Sequence, residues 1–237
     1  MKRLLGELFC HNESGFWANS LFSLSPLLNC WICMLIETFT VGSLSTNCYV
    51  VNSQQTKEAI IIDPGLEFSS EAQQIFDYIT QGALKVKLIV NTHGHSDHIS
   101  GDAVFQEKYN VPIYIHKYDA PSIEGFNKSK FPANVLLEDG SLIEFGGESL
   151  KVMNTPGHTP GSICLVGERL VFTGDTLFAG GIGRTDFPGG SVSDMRLSLQ
   201  KLVRMPDNFL IYPGHGAASI MGEEKRVNPF LNNKDIF

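Results

Sequence analysis

Four side chains able to bind a metal, His93, His95, Asp97 and His98, fall within six consecutive positions of the run NTHGHSDHISG, residues 91–101. His93 and His95 are two apart, so at the end of a strand both rings project to one side and can reach one ion. Asp97 and His98 are adjacent and would point apart in a strand. They converge only where the chain turns, which Gly94 and a helix downstream allow. The spacing points to two pairs aimed at two neighbouring points. Neither pair fills a coordination shell, because zinc takes about four ligands and a catalytic zinc leaves one position to water. Three further donors stand at the ends of apolar strands beside Gly or Pro: His158 in TPGHTPGS, Asp175 in FTGDTLF and His215 in YPGHG. Five of the seven histidines occupy such contexts, which makes an accidental grouping a poor account of them.

The elements that must position these donors are legible from periodicity. LIETFTV, NCYVVN and AIIID read as strands ending in turn residues, two or three of them antiparallel. FSSEAQQIFDYITQ has apolar residues at helical spacing and a Ser before an acidic first turn, the pattern of a capped helix. KVKLIV is a buried strand running into the histidine motif, followed by a helix over GDAVFQEKYN and a strand over VPIYIHK. The chain then returns to strands in SLIEFGGESLKVMNTPG and SICLVGERLVFTGD. A glycine-rich loop, FAGGIGRTDFPGG, precedes a helix over SVSDMRLSLQKLVRM, the short strand NFLIYPGHG, and one helix in the last segment. Two runs of strands, each accompanied by helices, predict one α/β domain of two mixed sheets packed on each other with helices outside.

THGHSDH, TPGHTPGS, GDTLF and YPGHG stand in the order found in the metallo-β-lactamase fold hydrolases, and the chain resembles that family from residue 34 to 237. The resemblance implies an αββα sandwich with a dinuclear site between the sheets. It implies His93, His95 and His158 at one metal, Asp97, His98 and His215 at the other, and Asp175 bridging. Asp63, in IIDPG, matches an Asp near the family's site and also suits turn capping. The implied cofactor is a pair of divalent ions, zinc first, with iron or manganese also compatible with imidazole and carboxylate ligands. Such a pair, about 3.5 Å apart, lowers the pKa of a shared water from about 15.7 toward about 7, and the resulting bridging hydroxide is the expected nucleophile. Asp97 is the expected catalytic residue, binding its metal and orienting that hydroxide.

GDTLFAGGIGRTDFPGG is the more discriminating stretch and resembles the glyoxalase II group, in particular its shorter relatives. In that group a basic residue of this loop helps hold glutathione, and Arg184 occupies the corresponding place. An arginine there either forks onto a substrate carboxylate or ties down its own loop. Only 22 residues follow His215, too few for the additional helical C-terminal region of full-length glyoxalase II enzymes. The expected reaction is hydrolysis of a small-molecule thioester of the S-2-hydroxyacylglutathione kind. A thiol leaving group has a pKa of about 8.5 and departs as thiolate without a dedicated acid. The competing expectation is an iron-dependent glutathione persulfide dioxygenase, whose family shares the GRTDF segment and uses one iron held by two His and an Asp. A metal-stabilised binding scaffold without catalysis stands third. Phe178, Phe187 and Tyr118 can line a substrate pocket, but aromatic residues near loops more often pack, and the three stay outside the expected site.

A formal charge of −7 argues against a surface built to grip phosphate backbones. Five cysteines, odd in number and irregularly spaced, do not form the framework of a secreted disulfide protein, so a reducing, cytoplasmic setting is expected. The Cys30–Cys33 pair has no second pair to complete a zinc knuckle. Residues 1–33 stand apart. Glu7 interrupts their first apolar stretch, and Pro26 and Asn29 interrupt the second, so neither reaches the roughly 18 residues of a membrane helix. They are read as an N-terminal extension, with the catalytic domain beginning at Met34.

Overall fold

A computed structural model describes residues 34–122 and 134–232; the extension read over residues 1–33 lies outside the described residues. The first sheet contains β1 (Met34–Val41), β2 (Thr46–Ser53), β3 (Glu58–Ile62), β4 (Lys85–Val90), β5 (Ile113–His116) and β6 (Val135–Leu137), in that spatial order. β1 to β3 pair antiparallel and β3 to β6 parallel. The parallel half is crossed by α1 (Ser69–Gln81) between β3 and β4, and by α2 (Ser96–Ile99) and α3 (Asp102–Tyr109) between β4 and β5. The second sheet comprises β7 (Leu142–Phe145), β8 (Glu148–Asn154), β9 (Ile163–Val166), β10 (Leu170–Gly174), β13 (Leu210–Pro213) and β14 (Ser219–Ile220), with spatial order β14-β13-β10-β9-β8-β7. A separate two-stranded ribbon pairs β11 (Leu177–Phe178) with β12 (Gly181–Ile182). Helix α4 (Val192–Leu202) connects that ribbon to β13, and α5 (Met221–Val227) and α6 (Pro229–Asn232) follow β14.

The central strands are apolar on both faces, as sheets covered on both sides require. Along β2 and β3, Tyr49, Val51, Ile60 and Ile62 meet Leu165, Phe172, Val152 and Ile143 of the second sheet. The alternate residues Cys48, Val50, Ala59 and Ile61 face Ile75, Ile79 and Phe105 of the helices. The second sheet repeats the arrangement, with Cys164, Val171 and Ile211 packed under Met195, Leu199 and Leu202 of α4. Three apolar layers between four structural layers make an αββα sandwich. Each fully buried Ile or Phe of the inter-sheet layer stabilises the fold by about 1.5–3 kcal/mol relative to exposure.

Several local expectations need correction. The N-cap of α1 is Phe68, and Glu71 folds back to accept the backbone N–H groups of Phe68 and Glu67 at 2.9 and 2.8 Å. The glycine-rich loop contains the β11–β12 ribbon. The tail forms two short helices rather than one, broken where Pro229 cannot continue α5. β6, only three residues long, is an additional parallel strand outside the sequence reading.

At one end of the sandwich the two sheets hydrogen-bond directly. Asn47 N–H of β2 donates to the Gly214 carbonyl at 2.7 Å, Thr46 and His215 form an isolated bridge, and Ile163 N–H donates to the Thr92 carbonyl at 2.9 Å. This end collects the carboxyl termini of the parallel strands β3, β4, β10 and β13, where open α/β sheets present their ligand sites.

Candidate metal centre

Three of the sequence-predicted donors arrive from strand ends. His93 follows β4, Asp175 follows β10, and His215 follows β13, the parallel neighbour of β10 in a register that places Gly174 beside Pro213. His158 lies in the loop between β8 and β9. The helix expected after the motif begins inside it: Asp97 and His98 sit on α2, which turns their side chains back toward His93. Glycine makes the approach possible, since a Cβ on Gly214 would lie 2.2 Å from Asp175 Oδ1 and 2.8 Å from His98 Cε1.

The seven donors converge. The ligand atoms of His93, His95 and His158 lie within 4.8 Å of one another, as do those of Asp97, His98 and His215. Between these triads, His93, His98 and Asp175 form a third such group. His93 Nε2 stands 3.1 Å from His95 Nδ1, and His98 Nε2 3.3 Å from His215 Nε2. Asp97 Oδ2 is 3.3 Å from His215 Nε2 and 3.5 Å from His98 Nε2. Asp175 divides its carboxylate: Oδ1 faces His98 Nε2 at 3.5 Å, while Oδ2 faces His158 at 3.4 Å and His215 at 3.5 Å.

These spacings fit a cation. Two donors each about 2.1 Å from one tetrahedral ion are separated by roughly 3.4 Å. His158 Nε2 and Asp175 Oδ1 are also buried without a hydrogen-bond partner, a costly arrangement unless an ion satisfies them. The outer ring nitrogens fix the tautomers. Nδ1 of His158 donates to the Arg184 carbonyl at 2.7 Å, Nδ1 of His215 to the Leu44 carbonyl at 3.1 Å, and Nδ1 of His98 to Asp63 Oδ2 at 3.0 Å. The Thr92 hydroxyl donates to Asp63 Oδ2 at 2.7 Å and faces His93 Nδ1 at 3.2 Å. Protons held on the outer nitrogens leave the Nε2 lone pairs of these four rings directed inward.

Charge follows the same geometry. Burial, then the surrounding histidines, hold His93 well below the usual imidazole range, as a neutral ligand requires. Burial also opposes charge on His215, but Asp175 and Asp97 outweigh it and push its pKa up to about 10. Asp97 is held far below the usual carboxylate range, because its contacts with His215 and His98 outweigh desolvation. The carboxylates favour positive charge at this point, as a cation-binding centre must.

Asp63 supports the centre from outside rather than capping a turn. Thr92 and Asp119, absent from the sequence reading, also hold its loops. Around the mouth, the Phe187 ring lies 5.6 Å from that of His95, and Phe178 lies 6.0 Å from His215. Tyr118 packs instead against His116. The Arg184 side chain forks onto Asp186 at 2.9 and 2.8 Å and lies 4.2 Å over the Phe187 ring.

The model of the Metallo-beta-lactamase superfamily matches residues 41–215. The chain belongs to the metallo-beta-lactamase superfamily. Among members of this superfamily it is 33% identical over 220 residues to hydroxyacylglutathione hydrolase GloC of Haemophilus influenzae, covering 85% of this chain and 100% of that protein. It is also 33% identical over 195 residues to the mitochondrial persulfide dioxygenase ETHE1 of Bos taurus, covering 78% and 71%. Among solved superfamily structures, the BLEG-1 B3 metallo-beta-lactamase superposes with a TM-score of 0.76 at 30% identity, over 84% of this chain and 100% of that one. TTHA1623 in a di-iron-bound form gives 0.73 at 33% identity, over 82% and 100%. Superfamily membership and the His/Asp cluster together establish a centre able to bind metal ions. No helix among the described residues is long and apolar enough to cross a membrane.

Proposed function

We propose that this protein is a metal-dependent hydrolase that cleaves a small-molecule thioester of the S-2-hydroxyacylglutathione kind in the cytoplasm. In this reading His93, His95 and His158 hold one divalent ion, Asp97, His98 and His215 a second, and Asp175 is shared, with zinc the leading metal. The observation that carries the reading is the divided Asp175 carboxylate, which faces His98 on one side and His158 and His215 on the other. The 33% identity to a hydroxyacylglutathione hydrolase supports the substrate class.

When bound, the ions supply Lewis acidity, lowering the pKa of a water from about 15.7 toward about 7 and drawing charge from a substrate carbonyl. The chain's residues place and orient the reactants. Asp97, ionised and held by the Thr46 hydroxyl at 3.1 Å, accepts a hydrogen bond from the attacking water and aims it. Phe187 and Phe178 flank the acyl group and exclude bulk solvent from the carbonyl. Arg184 reaches the thiol-side carboxylate by exchanging its bond to Asp186, a solvent-exposed pair that water already weakens. The thiolate leaves without a general acid, since its conjugate pKa is about 8.5.

The second reading, an iron-dependent persulfide dioxygenase, is favoured by the His93–His98–Asp175 group, which has the two-histidine, one-carboxylate composition of non-haem iron sites. Elemental analysis combined with two assays separates the readings. Two ions per chain with thiol release from S-lactoylglutathione support the hydrolase. One iron with oxygen uptake on glutathione persulfide replaces it. Metal-replete protein that does neither leaves only the scaffold reading.

A further inference from the structure

We propose that Asp119 is the positioning residue of the His93–His95–His158 triad, clamping together the two loops that bear it; the proposal rests on the two-ion reading above. Asp119 stands on the turn after β5 and is 4% exposed. The turn is braced by its own backbone: Asp119 N–H donates to the His116 carbonyl at 2.9 Å, and Ser122 N–H to the Asp119 carbonyl at 3.0 Å. From this fixed point the carboxylate reaches both ligand loops. Oδ2 accepts the Gly94 N–H at 2.8 Å, between His93 and His95. The same oxygen accepts the Thr159 hydroxyl at 2.6 Å, next to His158, and Oδ1 accepts the Gly161 N–H at 2.8 Å.

Two further observations give the clamp a specific role. His95 is the one histidine of the cluster whose Nδ1 faces inward, so it lacks the outer Nδ1 anchor that the other four rings have. Its placement falls to its backbone, which the Gly94–Asp119 bond holds. Gly161 also presses closely on the clamp, since a Cβ there would lie 2.4 Å from Asp119 Oδ1. The hydrogen bonds of the Asp119 side chain go to Gly94, Thr159 and Gly161, and none goes to Asp97, His98 or His215. The role is therefore confined to one half of the centre.

The test is metal stoichiometry and chelator competition on purified full-length protein, with zinc as the probe and circular dichroism confirming the fold. Asp119→Asn keeps the size but offers one acceptor oxygen, so either the Gly94 or the Gly161 N–H is left facing an amide donor. The expected result is that one of two zinc ions binds at least about tenfold more weakly while the other keeps its wild-type affinity. Thr159→Val, which removes a single donor, should give a smaller loss of the same selectivity, and it decides the question if Asp119→Asn does not fold. Both ions weakening equally, or neither, overturns the positioning role alone. A wild type that holds one ion overturns the two-ion reading and the proposal with it.

Discussion

The Asp63 carboxylate accepts the Nδ1 proton of His98 at 3.0 Å, a hydrogen bond closed between side chains that are 1% and 0% exposed. Through Thr92 the same oxygen also orders His93, so one side chain sets the tautomers of a ring in each triad. Asp63 lies at φ +50°, a left-handed conformation that Asn tolerates better than most residues. Asp63→Asn should therefore fold, yet lose about 10- to 100-fold in metal affinity or turnover, the usual effect of removing an outer-shell partner. Metal titration of the variant checks this, and wild-type affinity would assign Asp63 a purely structural role.

Removing the metal should destabilise the fold. With the ions gone, His158 Nε2 and Asp175 Oδ1 remain buried and unpaired. A ligand present at 100 times its Kd contributes about 2.7 kcal/mol. At about 2–4 °C per kcal/mol for a chain of this size, chelation should lower the thermal midpoint by roughly 5–10 °C. Scanning calorimetry with and without chelator, followed by re-addition of zinc, measures the shift.

Arg184→Ala should leave stability unchanged, because both partners of its ion pair are exposed. Its effect should appear in KM, raised by about tenfold for thioesters whose thiol part carries a carboxylate, with kcat little altered. Thioesters lacking that carboxylate should be hydrolysed equally by both forms. A uniform fall in kcat would place Arg184 elsewhere in the chemistry.

Asp102, buried beside Asn91, gives the fold a pH dependence. Burial, with Asp63 adding to it, holds its carboxyl well above the usual carboxylate range against the opposing hydrogen bond from Asn91 at 2.7 Å. With a folded pKa above the unfolded value of about 3.9, its contribution is complete below about pH 4 and is lost as pH rises through the folded pKa. Asp102→Asn removes the titration while keeping an acceptor for Asn91. Urea midpoints should show the variant gaining on the wild type from pH 4 to pH 9; parallel curves would contradict this.

The candidate donors His93, Asp175 and His215 were legible because each follows a strand end beside a glycine, and strand periodicity marks those ends. Two runs of strands, each accompanied by helices, likewise announced two packed sheets with helices outside. Asp119 and Thr92 were not legible. Their roles depend on contacts with Thr159, Gly161 and Asp63, which only the packed sheets bring within reach, and an acid after a strand has many ordinary uses. Arg184 illustrates a different limit, since the sequence offered two uses for it and the side chain as placed engages Asp186. The α1 cap was not legible because it depends on Glu71, at N3, folding back onto the backbone donors of Phe68 and Glu67.

The anchors of the four outer-anchored rings that define a tautomer are unequally exposed to mutation. His158 and His215 lean on main-chain carbonyls, of Arg184 and Leu44, which every amino acid provides. Those two ligands can keep their alignment while the residues around them drift. His93 and His98 both depend on Asp63, so one ring in each triad hangs on a single codon. The exposed side chains of the β12–α4 loop and the β1–β2 turn, Arg184, Asp186, Phe187 and Leu44 among them, are consequently free to diversify, and with them the mouth of the site, without moving the main-chain anchors of His158 and His215.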